Sequence, residues 1–467
     1  MNAPVSSQSD AFIAALEAAF DCKTVATGED IAERNRADWS GLSPVRPLAL
    51  LRPASASDVA AAMKLCNEHG VAVVPQGGMT GLCGGAQPIE GAVALSMERM
   101  SGIEEIDIAG ATMTVKAGTP LETVQKATEE KGMYFALDLG ARGSCTIGGN
   151  IATNAGGNRV IRYGMTRDLV LGIEAVLADG TIVTSLNKMI KNNAAYDLKQ
   201  MFIGSEGTLG IVTRAVLRLH PLPRFTSAAV CALEKYEDVV TLLKAARRGL
   251  GPMLAAFEVM WSDYWEVIAT TPGLRMPFGP GHGFHVLIEC HGTDETHDRA
   301  KFDSFLEAQV ENGLLADAVV AQSVADARAF WEVRDAVSEF PLTFGDHIPF
   351  DIGLPVERMD EFRTECLEAL RAEIPAVHAL FYGHVGDGNI HIVVRDRAAE
   401  KPPKQLICDT VYGVVAKFGG TISAEHGIGT TKKQWLPLTR SPSELDTMRL
   451  LKKALDPNNI LNPGKVL

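Results

Sequence analysis

Apolar and polar positions along this chain of 467 residues change rhythm several times. Leu48 to Leu51 is an unbroken apolar run. Val59, Met63 and Cys66 then recur at helical spacing, and Val71 to Val74 is apolar again. Strand, helix and strand are therefore expected across 48–75, with Ser57 as the helix cap and Gly70 as its left-handed end. A second stretch, 112–218, carries strand patterns at Thr112–Lys116, Val170–Leu177, Thr181–Val183 and Gly210–Leu217, with a turn at Asp179-Gly180. Pro221 and Pro223 break the rhythm and mark a domain boundary near 219–225. Beyond it, strand patterns (Val230–Leu233, Phe284–Glu289) alternate with helical ones (Tyr236–Leu250, Glu357–Ile374). A helix is expected near Pro442–Leu455, before an end rich in Pro, Asn and Gly, Asn459–Lys465. Residues 11–20 read as a short helix. The alternation points to an α+β protein of two or three domains.

Composition narrows the class. Apolar residues make up 46% and charged residues 22%, which permits a large core and excludes a disordered chain. A net charge of −13 without a long basic run argues against nucleic acid as the partner. No segment approaches the roughly 20 apolar residues of a membrane-spanning helix, and Met1 to Phe20 lacks a basic region followed by an apolar block, so no secretory signal is expected. Eight scattered cysteines without a Cys-x-x-Cys pair fit reduced thiols and a cytoplasmic protein.

Three glycine-rich segments stand out in the first half. They are Pro75-Gln76-Gly77-Gly78-Met79-Thr80-Gly81 with Leu82 following, Gly143-Ser144 through Gly148-Gly149-Asn150 and on through Thr153-Asn154 to Gly156-Gly157, and Gly204-Ser205-Glu206-Gly207 to Gly210-Ile211. Glycine lets a backbone approach phosphate closely and turn its N–H groups toward it, and the interleaved Ser, Thr and Asn add small donors. None fits G-x-G-x-x-G opening a helix or a Walker A loop.

The other informative cluster is Gly383-His384-Val385-Gly386-Asp387-Gly388-Asn389-Ile390-His391. Asp-Gly is a strong two-residue hairpin turn. Counted outward from it, His384 faces His391, with Cβ atoms about 5 Å apart and pointing to one side. Two imidazoles so placed can share a metal ion. Glu425, in Ser423-Ala424-Glu425-His426, is a candidate third ligand. Two His and one carboxylate suit Zn²⁺, or Mn²⁺. Adjacent side chains on an extended segment diverge, so His426 is left free as a base.

The run 137–157, Arg162-Tyr163-Gly164, Asp197-Leu198-Lys199-Gln200 and 204–213 resembles the FAD domain of the vanillyl-alcohol-oxidase or PCMH-type flavoproteins, over about 46–223. The hairpin, the Glu-His pair and the tail Leu461-Asn462-Pro463-Gly464-Lys465 resemble the D-lactate, glycolate and D-2-hydroxyglutarate dehydrogenases. The resemblance implies a PCMH-type FAD-binding domain at 1–223, a substrate domain with the metal site at 224–455, and a segment at 456–467 returning to the FAD domain. It implies that the three glycine-rich segments hold FAD together with Tyr163, Glu206, Glu425, His426 and Asn462. Covalent-flavin members carry His where this chain has Thr80, so FAD is expected to be non-covalent. Relatives often have Asn at the position of Met79. His384, His391 and Glu425 would bind the metal, His426 would take the hydroxyl proton, and hydride would pass from C2 of a D-2-hydroxy acid to flavin N5.

Arg334 matches the substrate-binding arginine of the group and would clamp the carboxylate with its planar fork, with Ser338 nearby. Two departures bear on the substrate. Val393 stands where 2-hydroxyglutarate enzymes have Asn, and Pro349 where they have Lys. A second carboxylate buried there would lack partners, so an apolar acid such as D-lactate or a bulkier analogue like mandelate is favoured, with D-2-hydroxyglutarate as the alternative and a metal hydrolase as a remote one. An electron-transfer flavoprotein, quinone or cytochrome is expected as acceptor, and a homodimer as the assembly.

Overall fold

Ser55, two residues ahead of the expected cap, starts the helix Ala56–His69. Its hydroxyl accepts from the Asp58 N–H, and Asp58 receives the Ser55 N–H at 3.0 Å. The acid three residues after Ser55 is what selects it over Ser57, since the pair caps reciprocally. Gly70 ends the helix in the left-handed region, at φ 64°. The computed structural model describes residues 5–467. The first four positions of the N-terminal segment thus lie outside the described residues, and the helix expected at 11–20 spans Val5–Ala19.

The chain divides into two units. One comprises 1–157, 164–222 and 425–467; the other comprises 158–163 and 223–424. The break at 222/223 falls inside the expected 219–225 boundary. Two features of the division were not anticipated: the return to the first unit begins at 425 rather than 456, and the short segment 158–163 is grouped with the second unit.

The first unit holds a four-stranded sheet ordered Val25–Thr27, Ala49–Leu51, Val93–Ser96, Val73–Gln76. Its last three strands run parallel. An antiparallel five-stranded sheet follows, ordered Ile103–Asp107, Thr112–Lys116, Ile211–Arg218, Val170–Val176, Ile182–Ser185. The chain's end adds to the first sheet beside Val73, whose N–H donates to Ile460 O at 2.7 Å and whose carbonyl accepts from the Asn462 N–H at 2.8 Å. Lys452 Nζ, on the helix Pro442–Leu455, donates to Thr208 O at 2.9 Å and to Leu461 O at 2.6 Å, fastening the tail to the third glycine-rich segment.

The second unit is built on one antiparallel seven-stranded sheet, ordered Asp317–Val320, Phe225–Leu233, Phe284–Gly292, Leu254–Trp261, Val377–Gly383, Asn389–Asp396, Ile348–Gly353. Alternate residues of these strands, among them Val230, Leu287, Met260, Leu380, Tyr382 and Val393, form one core with Tyr264, Trp265, Phe330 and Phe340. On the same sheet face, by period-two alternation, stand polar residues that the apolar runs conceal: Glu258, His285, Glu289 and His291. All eight cysteines are free thiols, seven of them buried. Among the described residues no helix is long and apolar enough to cross a membrane.

Candidate functional site

In the second unit the site is organised by Glu258, a single acid in the apolar strand Leu254–Trp261. Its carboxylate is buried and takes His384 Nδ1 on Oε1 at 2.6 Å and Arg334 Nε on Oε2 at 2.8 Å. Burial alone would raise its pKa. The charges of His384 and Arg334 outweigh burial and hold it below the ordinary carboxylate range. Because Glu258 accepts from Nδ1, that nitrogen carries a proton, and Nε2 is the one that would ligate a cation once the ring is neutral. Arg334 Nη2 lies 3.2 Å from that Nε2. A buried imidazole backed by a carboxylate is a donor that suits a cation, which would take the place of Arg334 Nη2 at Nε2. The helix Val324–Asp335 presents Arg334, and Tyr264 fixes the helix end by donating its hydroxyl to Arg334 O at 2.8 Å.

His391 comes alongside through a hairpin that differs from the two-residue turn expected. The ladder pairs Tyr382 with His391, not His384 with His391. The strand stops at Gly383, Val385–Asp387 forms a 3-10 turn, and Gly388 is left-handed at φ 91°. Two residues more than a minimal hairpin are absorbed because the turn lies against the strand Leu254–Trp261. A Cβ added at Gly386 would fall 2.9 Å from Phe257 Cβ. The imidazoles of His384 and His391 still meet, with ring centroids 5.2 Å apart and planes at 78°. Opposite His391 in the ladder is the buried Asp351. Asp351 accepts from Asn389 Nδ2 at 2.8 Å and from the Ala424 N–H at 3.2 Å. Glu425 is the next residue along the chain.

Of the expected substrate residues, Arg334 is buried in this network. Ser338 is exposed, its hydroxyl 3.5 Å from Asp335 O. Val393 and Pro349 are paired across neighbouring strands; Val393 lies in the apolar core and Pro349 is exposed. Sequence reasoning passed over Glu258, Glu289, Asp351 and Arg159. The available signal was a lone acid inside a run of apolar residues, as in Leu254–Trp261 and Phe284–Gly292, since such an acid must be paired to be buried.

In the first unit the glycine-rich segments lie directly on one another. A Cβ at Gly77 would stand 2.5 Å from Thr146 Oγ1, and one at Gly78 would stand 2.0 Å from Ser144 O. One at Gly156 would stand 2.7 Å from Glu425 Oε1, so the carboxylate of Glu425 lies against the second segment. Thr146 caps the helix Ile147–Thr153, and Asn154 ends it in the left-handed region. Several side chains expected to contact cofactor are committed to the protein itself. Gln76 exchanges bonds with Asn35 at 2.9 and 3.0 Å. Glu206 accepts from the N–H groups of Ile428 and Gly429 at 2.7 and 2.8 Å. Asn462 donates to Gly85 O and Glu206 O. The buried oxygens Asn35 Oδ1, Thr430 Oγ1 and Asn462 Oδ1 have no partner among the described residues. Close-set glycines with unanswered polar atoms beside them fit a polar, phosphate-bearing cofactor.

Comparison with known proteins bears on these expectations. Residues 47–185 match the FAD binding domain, and 222–466 match the C-terminal domain of FAD linked oxidases. A rice (Oryza sativa subsp. indica) protein named as a mitochondrial D-2-hydroxyglutarate dehydrogenase is 41% identical over 95% of this chain and 79% of its own length. The D-2-hydroxyglutarate dehydrogenase of Xanthomonas citri pv. viticola is 39% identical over 92% of this chain and 91% of its own. A Schizosaccharomyces pombe protein named as a mitochondrial D-lactate dehydrogenase is 35% identical over 92% and 83%. In fold, p-cresol methylhydroxylase superposes with a TM-score of 0.75 at 19% identity, over 99% of this chain and 96% of its own.

Two expectations change. The cytoplasmic placement is overturned by the names of the rice and fission-yeast relatives, both mitochondrial; the Xanthomonas name carries no compartment. The preference for lactate-like acids is less well supported than its alternative, because the relatives at 41% and 39% identity are named for D-2-hydroxyglutarate. The chain belongs to the FAD-linked oxidases, in the group that holds these D-2-hydroxy-acid dehydrogenases.

Proposed function

We propose that this protein is an FAD-dependent dehydrogenase that converts D-2-hydroxyglutarate to the 2-keto acid. His426 serves as base, Arg334 as carboxylate clamp, and His384, His391 and Glu425 hold a divalent cation, zinc or manganese. The observation that carries the reading is the grip of one buried carboxylate, Glu258, on both His384 and Arg334. It turns an imidazole lone pair and a guanidinium toward the same point. Chain continuity supports Glu425 as the third ligand: Ala424, just before it, is bonded to the Asp351 that faces His391. The names of the rice and Xanthomonas relatives support D-2-hydroxyglutarate as the substrate.

Each residue has a defined task. Nε of Arg334 is engaged by Glu258, so the Nη groups, of which Nη2 lies 3.2 Å from His384 Nε2, are the ones that would turn to a substrate carboxylate. His384, its proton fixed on Nδ1, offers Nε2 as a ligand, and a divalent cation there supplies the charge that makes a substrate hydroxyl easier to deprotonate. His426, next to Glu425 in the chain, takes that proton. Bound FAD supplies the sink for the hydride leaving C2. Hydroxyl proton and hydride leave together, so the products are the 2-keto acid, reduced flavin and one proton on His426.

A second reading keeps the chemistry and changes the substrate. Val393 lies among Tyr382, Leu380 and Phe340, where an amide would be needed to meet a second carboxylate. This favours acids with an uncharged side chain. One experiment tests both readings: anaerobic mixing of the purified protein with D- and L-2-hydroxyglutarate, D-lactate and D-mandelate while following the flavin band near about 450 nm. Bleaching by D-2-hydroxyglutarate, fastest of the panel, is expected. Faster bleaching by D-lactate or D-mandelate selects the second reading, and no bleaching by any D-acid removes both.

A further inference from the structure

The Arg334 guanidinium and the His391 imidazole lie against one aromatic ring, that of Tyr382. Tyr382 stands in the strand Val377–Gly383 and pairs in the ladder with His391, so the two side chains rise from the same sheet face. Their ring centroids are 5.2 Å apart, with planes at 35°. Arg334 Cζ sits over the same ring, 5.4 Å from its centroid. That is within the distance at which an aromatic face attracts a cation.

Glu258 by itself does not fix the plane of that guanidinium. Its two oxygens are divided, Oε2 to Arg334 Nε and Oε1 to His384 Nδ1. The parallel pair of bonds that locks an arginine fork onto a carboxylate is therefore missing. A single bond at Nε leaves the fork able to turn about it. Asp335 Oδ1 is 3.5 Å from Nη1 on a half-exposed side chain, too long a contact to be a second strong bond. The ring of Tyr382 supplies the constraint that the carboxylate does not, because a planar, delocalised cation keeps to an aromatic face.

A ring can do this only if it is itself held still. Tyr382 is buried, and it packs on Tyr264 at 4.8 Å and on Phe340 at 6.0 Å between centroids. Tyr264 donates its hydroxyl to Val333 O at 3.0 Å and to Arg334 O at 2.8 Å. One aromatic cluster thus holds Arg334 at both ends, its carbonyl through Tyr264 and its guanidinium through Tyr382. In a 2-hydroxy acid the carboxylate carbon and the hydroxyl carbon are neighbours, so the groups that hold them must keep a fixed spacing. We infer that Tyr382 is a positioning residue for Arg334: its ring face sets the plane of the guanidinium beside His391, so that the Nη groups meet the carboxylate of a 2-hydroxy acid. The inference rests on the dehydrogenase reading proposed above, and it assigns the role to the ring of Tyr382 rather than to its hydroxyl.

The test uses the full chain with its flavin and follows anaerobic bleaching by the D-acid that bleaches it fastest, over a range of acid concentrations. This separates the half-saturating concentration from the limiting rate. Tyr382→Leu is expected to raise the half-saturating concentration about tenfold and to change the limiting rate by less than about threefold, the pattern of lost carboxylate binding. The Kd for the corresponding 2-keto acid, measured by calorimetry, should rise by the same factor. Tyr382→Phe, which keeps the ring, should match the unaltered protein in both. Thermal unfolding checks the fold, and where Leu loosens the core, Tyr382→Met fills more of the space without an aromatic face and carries the same expectation. Folded Leu or Met variants with unchanged half-saturation, or a Phe variant as impaired as the Leu one, would overturn the inference while leaving the dehydrogenase reading intact. An unaltered protein whose flavin no D-acid bleaches would overturn both.

Discussion

Around Gly77 and Gly78 the close approaches are made by backbone; around Glu258 and Glu289 the contacts are made by carboxylates, imidazoles and guanidiniums. In the first unit the polar side chains of the glycine-rich segments mostly brace the protein. Gln76 ties to Asn35, and Glu206 ties the third segment to Ile428 and Gly429. The side chains hold the frame, and the glycines bring backbone close to whatever binds. In the second unit the roles are reversed. The sheet is a plain antiparallel frame, and on the proposed reading side chains hidden within it do the chemistry. Backbone-built sites tolerate side-chain change but not added bulk, whereas side-chain-built sites fail when a single charge is removed.

The widest separation between the two regions should come from neutralising one buried acid in each. Glu258→Gln keeps shape and leaves Arg334 and His384 without their anion. Loss of a buried charge partner and of the His384 orientation is expected to lower kcat/KM for the preferred acid about a thousandfold, or about 4 kcal/mol in transition-state binding. Glu206→Gln, at an acid that is also buried but bonded to backbone N–H groups, should lower it less than tenfold. Steady-state kinetics on the two purified variants decides; equal losses would erase the distinction between a site built of side chains and one built of backbone.

A smaller and pH-dependent difference follows from the histidines. Among the described residues the fully buried ones, His285, His291 and His384, all belong to the second unit. His285 is stacked on Trp265 with ring centroids 3.6 Å apart and planes at 5°. Neither of its ring nitrogens has a partner among the described residues. Burial, with a minor contribution from His282, lowers its pKa to about 3. The unfolded chain binds this proton near pH 6.5 and the folded one does not. Stability from this site is therefore intact above about pH 6.5 and is lost as pH falls toward 3. At pH 4.5 the loss is about 2–3 kcal/mol. His285→Phe should remove most of it, which unfolding curves at pH 4.5 and 7.5 will show. A variant as acid-sensitive as the unaltered protein would shift the acid response to other groups.

How far the sequence was legible follows the same division. Strands and helices with a clean rhythm, such as Thr112–Lys116 and Pro442–Leu455, lie where their patterns put them. The glycine-rich segments announced themselves because glycine is chosen for what the backbone must do. His384, His391 and Arg334 were visible as residue types at telling positions. Glu258 and Glu289 were not, because each is one acid in an apolar strand and its meaning comes largely from residues distant in sequence, as far as 130 positions away. The register of the hairpin was also illegible. Asp387-Gly388 does turn the chain, but the length of the turn is set by Gly386 packing on Phe257, a contact between strands far apart in sequence. The excursion 158–163 was missed for the same reason: Arg159 pairs with Glu289, 130 positions away.

The smallest effect tests the backbone side of the comparison at one residue. Met79, in the first glycine-rich segment, has φ 60°, in the left-handed region that a non-glycine residue adopts at a cost. Asn tolerates this conformation better, because its short polar side chain can bond locally. Asn is also what the resemblance leads one to expect there. If the first segment works through its backbone shape, Met79→Asn relieves strain without changing that shape. It should stabilise the protein by about 0.5–1 kcal/mol in denaturant unfolding and leave the Kd for FAD within twofold. A loss of FAD affinity beyond that would mean that the Met79 side chain itself takes part, and that the first unit is less purely a backbone device than its glycines suggest.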